Sequence, residues 1–243
     1  MAQPSTPLPA STVVLARPDN HGGFEIFMNR RPEKMDTYAG VYVFPGGRVE
    51  EGDWSPPMLS LVRGITPDEA QRALGSQLQP EVCLGYWVAA VRELFEETGI
   101  QFFIPQSGVI ASSNRSQIAQ RLAEKRPELQ EGKFDFPSLM ASEHLYCDVA
   151  RLSYFYHRIT PEHYPVRFDT RFYLAALPLG QDPLPSSEEV SESLWISPQV
   201  AVDRSQTGNF PMMPPTVAVL RTLAAHTSWS SLEGAFQLDR RSR

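Results

Sequence analysis

The clearest alternation of apolar and polar positions lies between residues 80 and 100, where its period is that of an α-helix. At about 100° per residue, the apolar side chains share one face: Leu84, Trp87, Val88, Val91, Leu94 and Phe95. Glu93, Glu96 and Glu97 share an arc on the opposite face. Pro80 suits the first helical position, and Gly99 suits the residue that ends the helix. The pattern predicts a helix with one buried face and one carboxylate face.

Shorter runs with the character of β-strands precede this helix. Residues 12–16 and 24–29 are two such runs, and the turn-forming residues 19–23 between them predict a hairpin. Residues 41–44 predict another strand, which Pro45-Gly46-Gly47 ends. Two adjacent glycines allow a tight turn and a close approach of the backbone to a ligand. Most such pairs are only turns, so the glycines alone are weak evidence for a site.

The rest of the chain mixes predicted helices and strands. Thr66-Pro67-Asp68-Glu69 predicts a capped helix that Gly75 ends. Further helices are predicted for residues 114–126, 135–144 and 216–225. Strands are predicted for residues 102–104, 152–159, 167–177 and 194–196. This mixture predicts one α/β domain with inserted helices.

The domain is expected to occupy residues 11–230. Residues 1–10 are rich in Pro, Ser and Thr and are expected to be disordered. Residues 231–243 end in Arg240-Arg241-Ser242-Arg243 and are expected to form a solvated tail.

Composition narrows the possible partners. The chain has 243 residues, 42% of them hydrophobic, and a net charge of −6, which argues against binding to a nucleic-acid backbone. Cys83 and Cys147 lie far apart in apolar patterns and are expected to be reduced core thiols, which indicates a cytoplasmic protein. No signal peptide or membrane-spanning segment is expected, because no sufficiently long apolar run exists.

The three glutamates are the first candidate for chemistry. Glutamates three and four residues apart on a helix repel by a few tenths of a kcal/mol per pair, so the cluster favours a compensating cation. Carboxylate oxygens are the ligands that Mg²⁺ and Mn²⁺ prefer. A solvated charged face with no ligand is the alternative.

The glycine pair, the acid that follows it and the glutamate helix together resemble the Nudix hydrolases, whose sequence motif is G-x5-E-x7-R-E-U-x-E-E-x-G-U with U aliphatic. Gly47 and Asp53 match the first half, and residues 92–100 match the second half without a departure. Two departures are visible: Asp53 replaces the family's Glu, and 38 residues separate Asp53 from Arg92 where the family has seven. The resemblance implies a Nudix fold, a mixed β-sheet sandwiched between helices.

The resemblance also implies roles for individual residues. Glu96 and Glu97 match direct ligands of Mg²⁺ or Mn²⁺, and Glu93 matches a ligand or the base that activates water. Arg92 is expected to orient a carboxylate and assist catalysis, and Asp53 is a further metal ligand. An acid outside the helix is expected to complete the metal site, and Glu189 is chosen over Glu188 and Glu192.

The insertion within the motif is similar to that of the large coenzyme A diphosphatases of the Nudix superfamily. Insertions are expected at about residues 54–81 and 107–150. Residues 159–161 and 167–173 also resemble this subgroup. Arg31 lies nine residues before Gly40, which is the spacing between an Arg and the first Gly of the motif in coenzyme A members. Arg31, Gly46 and Gly47 are therefore expected to bind substrate. Arg30, Arg167 and Arg171 are further candidates to bind a 3′-phosphate.

The resulting functional hypothesis is a metal-dependent hydrolase that cleaves the diphosphate bond of a nucleoside diphosphate linked to another moiety, with coenzyme A or acyl-coenzyme A as the first substrate. Three alternatives stay open: a pyrophosphatase of the ADP-ribose or NADH type, a non-catalytic Nudix module that senses a nucleotide, and an added role of residues 107–150 as an interaction scaffold. The expected partner is a small nucleotide, with no nucleic acid and no membrane. A homodimer is a possible assembly.

Overall fold

The computed structural model describes residues 5–34, 38–108, 112–184 and 190–238. Within these ranges the strands are β1 (Leu8–Pro18), β2 (Phe24–Arg30), β3 (Tyr42–Val43), β4 (Gly46–Arg48), β5 (Val62–Arg63), β6 (Phe103–Pro105), β7 (Leu145–Asp148), β8 (Ser153–Ile159), β9 (Phe168–Ala176) and β10 (Glu192–Ile196). The α-helices are α1 (Pro56–Ser60), α2 (Pro67–Leu74), α3 (Pro80–Thr98), α4 (Ser112–Gln130), α5 (Phe136–Ser142), α6 (Pro198–Gln206), α7 (Pro214–Ala224) and α8 (Trp229–Phe236). Short 3₁₀ turns span Glu51–Trp54 and Val149–Arg151.

The main sheet has the order β10-β2-β1-β9-β8, with β3 added beside β2 and β4 beside β1. Strand β1 is antiparallel to β2 and parallel to β9, so the sheet is mixed. Alternate residues of β1 point to opposite faces: Val13 and Leu15 pack with α3, and Val14 and Ala16 pack with α7. The predicted α/β architecture, a mixed sheet between helices, is therefore confirmed.

Helix α3 forms where its local signals predict. Pro80 occupies the first turn, and Gly99 ends the helix in the left-handed conformation at φ 74°. The predicted apolar face is buried in the core, including Trp87, which is 3% exposed. This burial against β1 fixes the direction in which the opposite, glutamate-bearing face points.

The two predicted insertions fold against each other. Strand β5 from the first insertion pairs in parallel with β7, and β6 pairs with β7 from its other side. Helix α2 has the predicted cap, in which the side chains of Thr66 and Glu69 each accept a hydrogen bond from the other's backbone N–H. Together with β6, which precedes the second insertion, the insertions therefore form a small second sheet with its own helices beside α3.

Both segments that were expected to lie outside the domain contain part of a regular element. Strand β1 begins at Leu8, inside the segment expected to be disordered, because Leu8 to Ala10 extend the parallel pairing to Phe168 and Thr170. Pro9 does not break this pairing, because its backbone points away from β9 to the other side of β1, where its carbonyl accepts a hydrogen bond from the Val49 N–H, so the missing N–H is not needed by β9. Helix α8 extends into the expected C-terminal tail, where Leu232 and Leu238 are buried.

Further elements escaped prediction. Gly46 to Arg48 form strand β4 on β1 instead of only a turn, and α1, β5, β7 and α6 lie in segments without a predicted element. Among the described residues, no helix is both long and apolar enough to cross a membrane.

Candidate active site

The carboxylate face of α3 lies against strand β4. The backbone N–H of Gly46 donates a hydrogen bond to Glu97 Oε2 at 3.2 Å. A Cβ at Gly47 would lie 2.5 Å from the Glu93 carboxylate, and a Cβ at Gly46 would overlap the Ser11 carbonyl. Gly46 also has φ 155°, a conformation that favours glycine. The glycine pair therefore lets the β4 backbone reach two of the three glutamates.

Arg92 is the centre of the ionic contacts. Its Nε and Nη2 donate to the two oxygens of Asp53 at 2.8 and 3.0 Å. Its Nη1 donates to Glu93 at 2.8 Å and to Glu96 at 3.5 Å, and its Nη2 also donates to the Arg48 carbonyl at 2.8 Å. Such a bidentate Arg–carboxylate pair has a defined geometry. Arg92 is only 6% exposed, so it orients the carboxylates from the buried side of the cluster.

Asp53 meets Arg92 although the insertion separates them in sequence. The 3₁₀ turn Glu51–Trp54 holds Asp53, whose Oδ2 also accepts a hydrogen bond from the Glu50 N–H at 2.8 Å. Both carboxylate oxygens are therefore engaged, and Asp53 is only 2% exposed. In this geometry Asp53 orients Arg92, and its role as a metal ligand stays a prediction.

Burial and mutual repulsion make this set of carboxylates costly to ionise. Burial raises the pKa of Asp53 and of Glu93, against the opposing effect of Arg92. Burial, assisted by the charge of Glu93, raises the pKa of Glu96 to about 8. Burial opposes the charge of Arg92, but the hydrogen bonds and charges of its acidic neighbours raise the Arg92 pKa and keep it cationic. One guanidinium does not neutralise the surrounding acids.

A pocket of about 470 Å³ opens beside this cluster. It extends from Gly46, Gly47 and Glu97 across β1 and β9 to the start of α7. Its cations are Arg31, Arg48 and Arg158. Much of the remaining wall is aromatic or aliphatic: Phe44, Tyr164, Val166, Phe168, Phe172 and Met213. This volume lies in the range of small-molecule sites, which combine apolar walls with a few polar groups.

Arg31 lines the pocket, and the substrate-binding role expected from its spacing to Gly40 stays a prediction. The Gly40 N–H donates to the Arg31 carbonyl at 3.1 Å, and the Arg31 N–H donates to the Val41 carbonyl at 3.0 Å. These bonds close the intervening loop, and Gly40 has φ 70° there. The spacing between Arg31 and Gly40 is therefore that of a closed loop at the edge of the pocket.

Other predicted residues lie elsewhere. Arg171 is outside the pocket, where it pairs with Asp169 and lies over the Tyr86 ring. Arg167 donates to the Thr160 and Ser5 carbonyls, and Arg30 pairs with Glu33, so these three arginines are not part of the pocket lining. Glu192 accepts a hydrogen bond from the Tyr42 hydroxyl. Glu188 and Glu189 lie outside the described residues.

Sequence reasoning missed Arg48 and Arg158. Arg48 directly follows the glycine pair, and Arg158 directly precedes Ile159-Thr160-Pro161. Their positions beside known motif residues were the only available signal, because β4 and β8 converge on the pocket only in the folded sheet.

The donor set of α3 fits a divalent metal ion. Among the described residues, no three His, Cys, Asp or Glu side chains already form a metal cage. Glu93, Glu96 and Glu97 nevertheless supply hard carboxylate oxygens, and the Arg92 guanidinium is shared among the carboxylates of Asp53, Glu93 and Glu96, so negative groups outnumber positive ones in this cluster. A divalent cation would offset that excess.

Comparisons with known proteins agree with this architecture. The model of the NUDT19 Nudix domain matches residues 5–223. The acyl-coenzyme A diphosphatase NUDT19 of Gallus gallus is 29% identical over 89% of this chain and 65% of its own length, and that of Homo sapiens is 26% identical over 95% and 67%. A putative nudix hydrolase 7 of Caenorhabditis elegans is 26% identical over 86% and 58%. The chain thus spans about three fifths to two thirds of the length of these relatives.

A solved structure shows the same fold. The NUDIX hydrolase from Alicyclobacillus acidocaldarius superposes with a TM-score of 0.71, at 24% identity, over 93% of this chain and 95% of that chain. The predicted Nudix fold is therefore confirmed. Together with the family match over residues 5–223, this identifies the chain as a member of the Nudix hydrolase family that carries a NUDT19 Nudix domain.

Proposed function

We propose that this chain is a divalent-metal-dependent pyrophosphohydrolase that cleaves the diphosphate bond of coenzyme A or an acyl-coenzyme A. The observation that carries the proposal is the contact of the α3 carboxylate face with Gly46 and Gly47 at one end of the pocket. The diphosphatase name of the chicken and human relatives supports the substrate class.

The side chains of α3 divide the work of hydrolysis. Glu96 and Glu97 would hold Mg²⁺ or Mn²⁺, with Asp53 and Glu189 as the further predicted ligands. When bound there, such an ion would supply positive charge for the phosphoryl oxygens and would favour deprotonation of the attacking water. Glu93 accepts a proton from the attacking water, and Arg92 holds Glu93 in position through the 2.8 Å hydrogen bond.

The pocket supplies the binding groups for the substrate. Arg31, Arg48 and Arg158 offer guanidinium groups to the phosphates, and the aromatic and aliphatic wall takes the apolar parts of the nucleotide or of the acyl-pantetheine arm. Gly46 and Gly47 allow the diphosphate to approach the β4 backbone. Coenzyme A and water then give 4′-phosphopantetheine and 3′,5′-ADP.

A substrate comparison tests the proposal. Purified protein is incubated with coenzyme A, an acyl-coenzyme A, 3′-dephospho-coenzyme A, ADP-ribose and NADH, with Mg²⁺ and then Mn²⁺, and products are identified by chromatography and mass spectrometry. A charge-assisted contact to the 3′-phosphate contributes about 1.5–3 kcal/mol, so kcat/KM for coenzyme A should exceed that for the dephospho form by roughly ten- to a hundredfold.

The controls separate the parts of the proposal. The double variant Glu96→Gln/Glu97→Gln keeps the helix, because Gln and Glu have similar helix propensity, and it should lose both Mn²⁺ binding and turnover. Faster turnover of ADP-ribose would replace the substrate while keeping the hydrolase. Metal-independent binding without any product would favour the nucleotide-sensing module.

Location and assembly are proposed on separate grounds. Cys83 and Cys147 are buried free thiols in the structure, which supports the proposed cytoplasmic location. The homodimer stays a prediction that light scattering can check.

A further inference from the structure

The last turn of α3 carries Glu96 and Glu97 at the unfavourable end of the helix. A helix C-terminus bears a partial negative charge, so acidic side chains there are destabilising. The final carbonyls of any helix also lack partners within the helix. This turn therefore needs hydrogen-bond donors, and preferably cations, from other parts of the chain.

Helix α4 supplies one of these donors. Gln130, its last residue, donates from Nε2 to the Glu96 carbonyl at 2.6 Å. The neighbouring carbonyls find other partners: Phe95 accepts from the Gly99 N–H at 2.7 Å, and Thr98 accepts from the Leu184 N–H at 2.7 Å. The backbone turn that holds Glu96 is thus completed by a residue of the insertion.

Helix α4 also brings a cation to the same turn. The Arg126 guanidinium lies against Gly99 so closely that a Cβ at Gly99 would overlap it. Arg126 Nη2 donates to the Leu184 carbonyl at 2.7 Å, so the segment that supplies the Thr98 partner is fastened to α4 as well. A guanidinium at a helix C-terminus complements the helix dipole.

Helix α4 is itself firmly attached. Leu122 and Leu129 are buried in the core, at 0% and 6% exposure. Arg121 and Lys125 pair with Glu143 at 2.8 and 2.6 Å. Gln130 therefore acts from a rigid support, which a side chain needs in order to fix a neighbouring backbone.

We propose that α4 is an external C-terminal cap of the glutamate helix, and that Gln130 is a positioning residue for the metal-binding turn of Glu96 and Glu97. The inference rests on the proposed metal-binding function of these glutamates. It assigns to the insertion of residues 107–150 a role in shaping the site, although none of its described residues lines the pocket.

The test uses the full chain and two readouts. Gln130→Met removes the donor but keeps side-chain length and helix propensity, and Gln130→Lys restores a donor and adds charge suited to a helix C-terminus. Gln120→Met is the matched control, because Gln120 lies exposed on the same helix and bonds only to Glu124 among the contacts described for it. Mn²⁺ affinity is measured by calorimetry with MnCl₂, and hydrogen exchange of the Gly99 amide is measured in metal-free protein.

We expect Gln130→Met to weaken Mn²⁺ binding about three- to tenfold, the range of one hydrogen bond, and to speed Gly99 exchange. Gln130→Lys should restore both, and Gln120→Met should match the wild type. Wild-type values for Gln130→Met in either readout, or no recovery in Gln130→Lys, would overturn the proposal.

Two further results keep the test decisive. If Gln130→Met does not fold, Gln130→Glu takes its place, because an ionised carboxylate cannot donate to the Glu96 carbonyl; wild-type values there overturn the cap. If the wild type binds no Mn²⁺, the proposed function fails, and Gly99 exchange still decides whether Gln130 caps α3.

Discussion

Two ionic clusters of this chain have opposite charge balances. The Arg92 cluster (Asp53, Arg92, Glu93 and Glu96) gathers three carboxylates around one guanidinium. The Glu143 cluster (Arg121, Lys125 and Glu143) gathers two cations around one carboxylate. Both contain an acid with little exposed surface, but the side chains of Arg121 and Lys125 are 47% and 36% exposed whereas that of Arg92 is 7% exposed, so the clusters differ in burial as well as in charge.

The pKa shifts differ in sign accordingly. At Glu143, burial would raise the pKa, but the hydrogen bonds from Lys125 and Arg121 hold it below its ordinary value. At Glu96, burial and the charge of Glu93 raise the pKa to about 8, and Arg92 does not compensate. In the Glu143 cluster two cations face one carboxylate, whereas in the Arg92 cluster three carboxylates face one guanidinium. We propose that a bound cation offsets this excess of carboxylates, which a structural ion pair does not need.

The largest expected effect is on catalysis within the Arg92 cluster. Glu93→Gln keeps an oxygen for Arg92 but removes the proton acceptor, so kcat should fall by roughly 10²–10⁴, the range of a positioned general base, with KM within a few fold. Steady-state kinetics with the best coenzyme A substrate measures this. Glu81→Gln, on the exposed first turn of the same helix, is the matched control. A loss below about tenfold would transfer the role of base to another acid.

The second largest effect concerns the close approach of the Gly47 backbone to the Glu93 carboxylate. Gly47→Ala places a methyl group 2.5 Å from the Glu93 carboxylate, which must move. Because a displacement of about 1 Å can cost 10²-fold in rate, we expect kcat to fall about ten- to a hundredfold while the protein still folds. Gly52→Ala is the control, since nothing lies within 4 Å of a Cβ there. Equal kcat values for the two variants would contradict the close approach.

Elements with local sequence signals could be predicted, and elements that depend on pairing with distant strands could not. Helix α3 was predictable because Pro80, Gly99 and the apolar face are all local signals. The motif match named Glu93, Glu96 and Glu97, and the structure brings all three beside the pocket or Arg92. Strand β4 was missed because its two glycines carry no side-chain pattern, and only pairing with β1 makes them a strand.

Contacts between distant segments account for the other misses. The pairing of Asp53 with Arg92 across the insertion, and the convergence of Arg48 and Arg158 on one pocket, depend on how the sheet brings these segments together. Arg171 was misplaced for the same reason: it alternates with Phe172 on β9, and only the Phe172 side of that strand faces the pocket.

The third prediction compares stability at about pH 8 in metal-free protein. Glu96→Gln removes a carboxylate that is costly to ionise and should stabilise the fold, whereas Glu143→Gln removes the acceptor of two charged donors and should destabilise it. Each change is expected to be about 1–2 kcal/mol, because Arg121 and Lys125 are partly hydrated. Thermal unfolding with EDTA should show shifts of about 2–6 °C in opposite directions. Shifts of the same sign would refute the contrast.

The smallest expected effect is the pH dependence of two stability differences, that between Glu96→Gln and the wild type and that between Glu143→Gln and the wild type. Glu96 has a folded pKa raised from 4.5 to about 8, so its folded form binds more protons than its unfolded form, and wild-type stability is lost as pH rises across that window. The advantage of Glu96→Gln should therefore grow from pH 5 to pH 8.

Glu143 has a lowered folded pKa, so its contribution to stability is present above the unfolded pKa and is lost as pH falls below that value. The deficit of Glu143→Gln should therefore be constant from pH 6 to pH 8 and shrink toward pH 4. Urea unfolding at each pH, with each variant referred to the wild type, cancels the titration of all other groups. Two parallel profiles would mean that the clusters do not differ in charge balance, and a profile for Glu96→Gln that flattens when Mn²⁺ is added would place the missing cation in the Arg92 cluster.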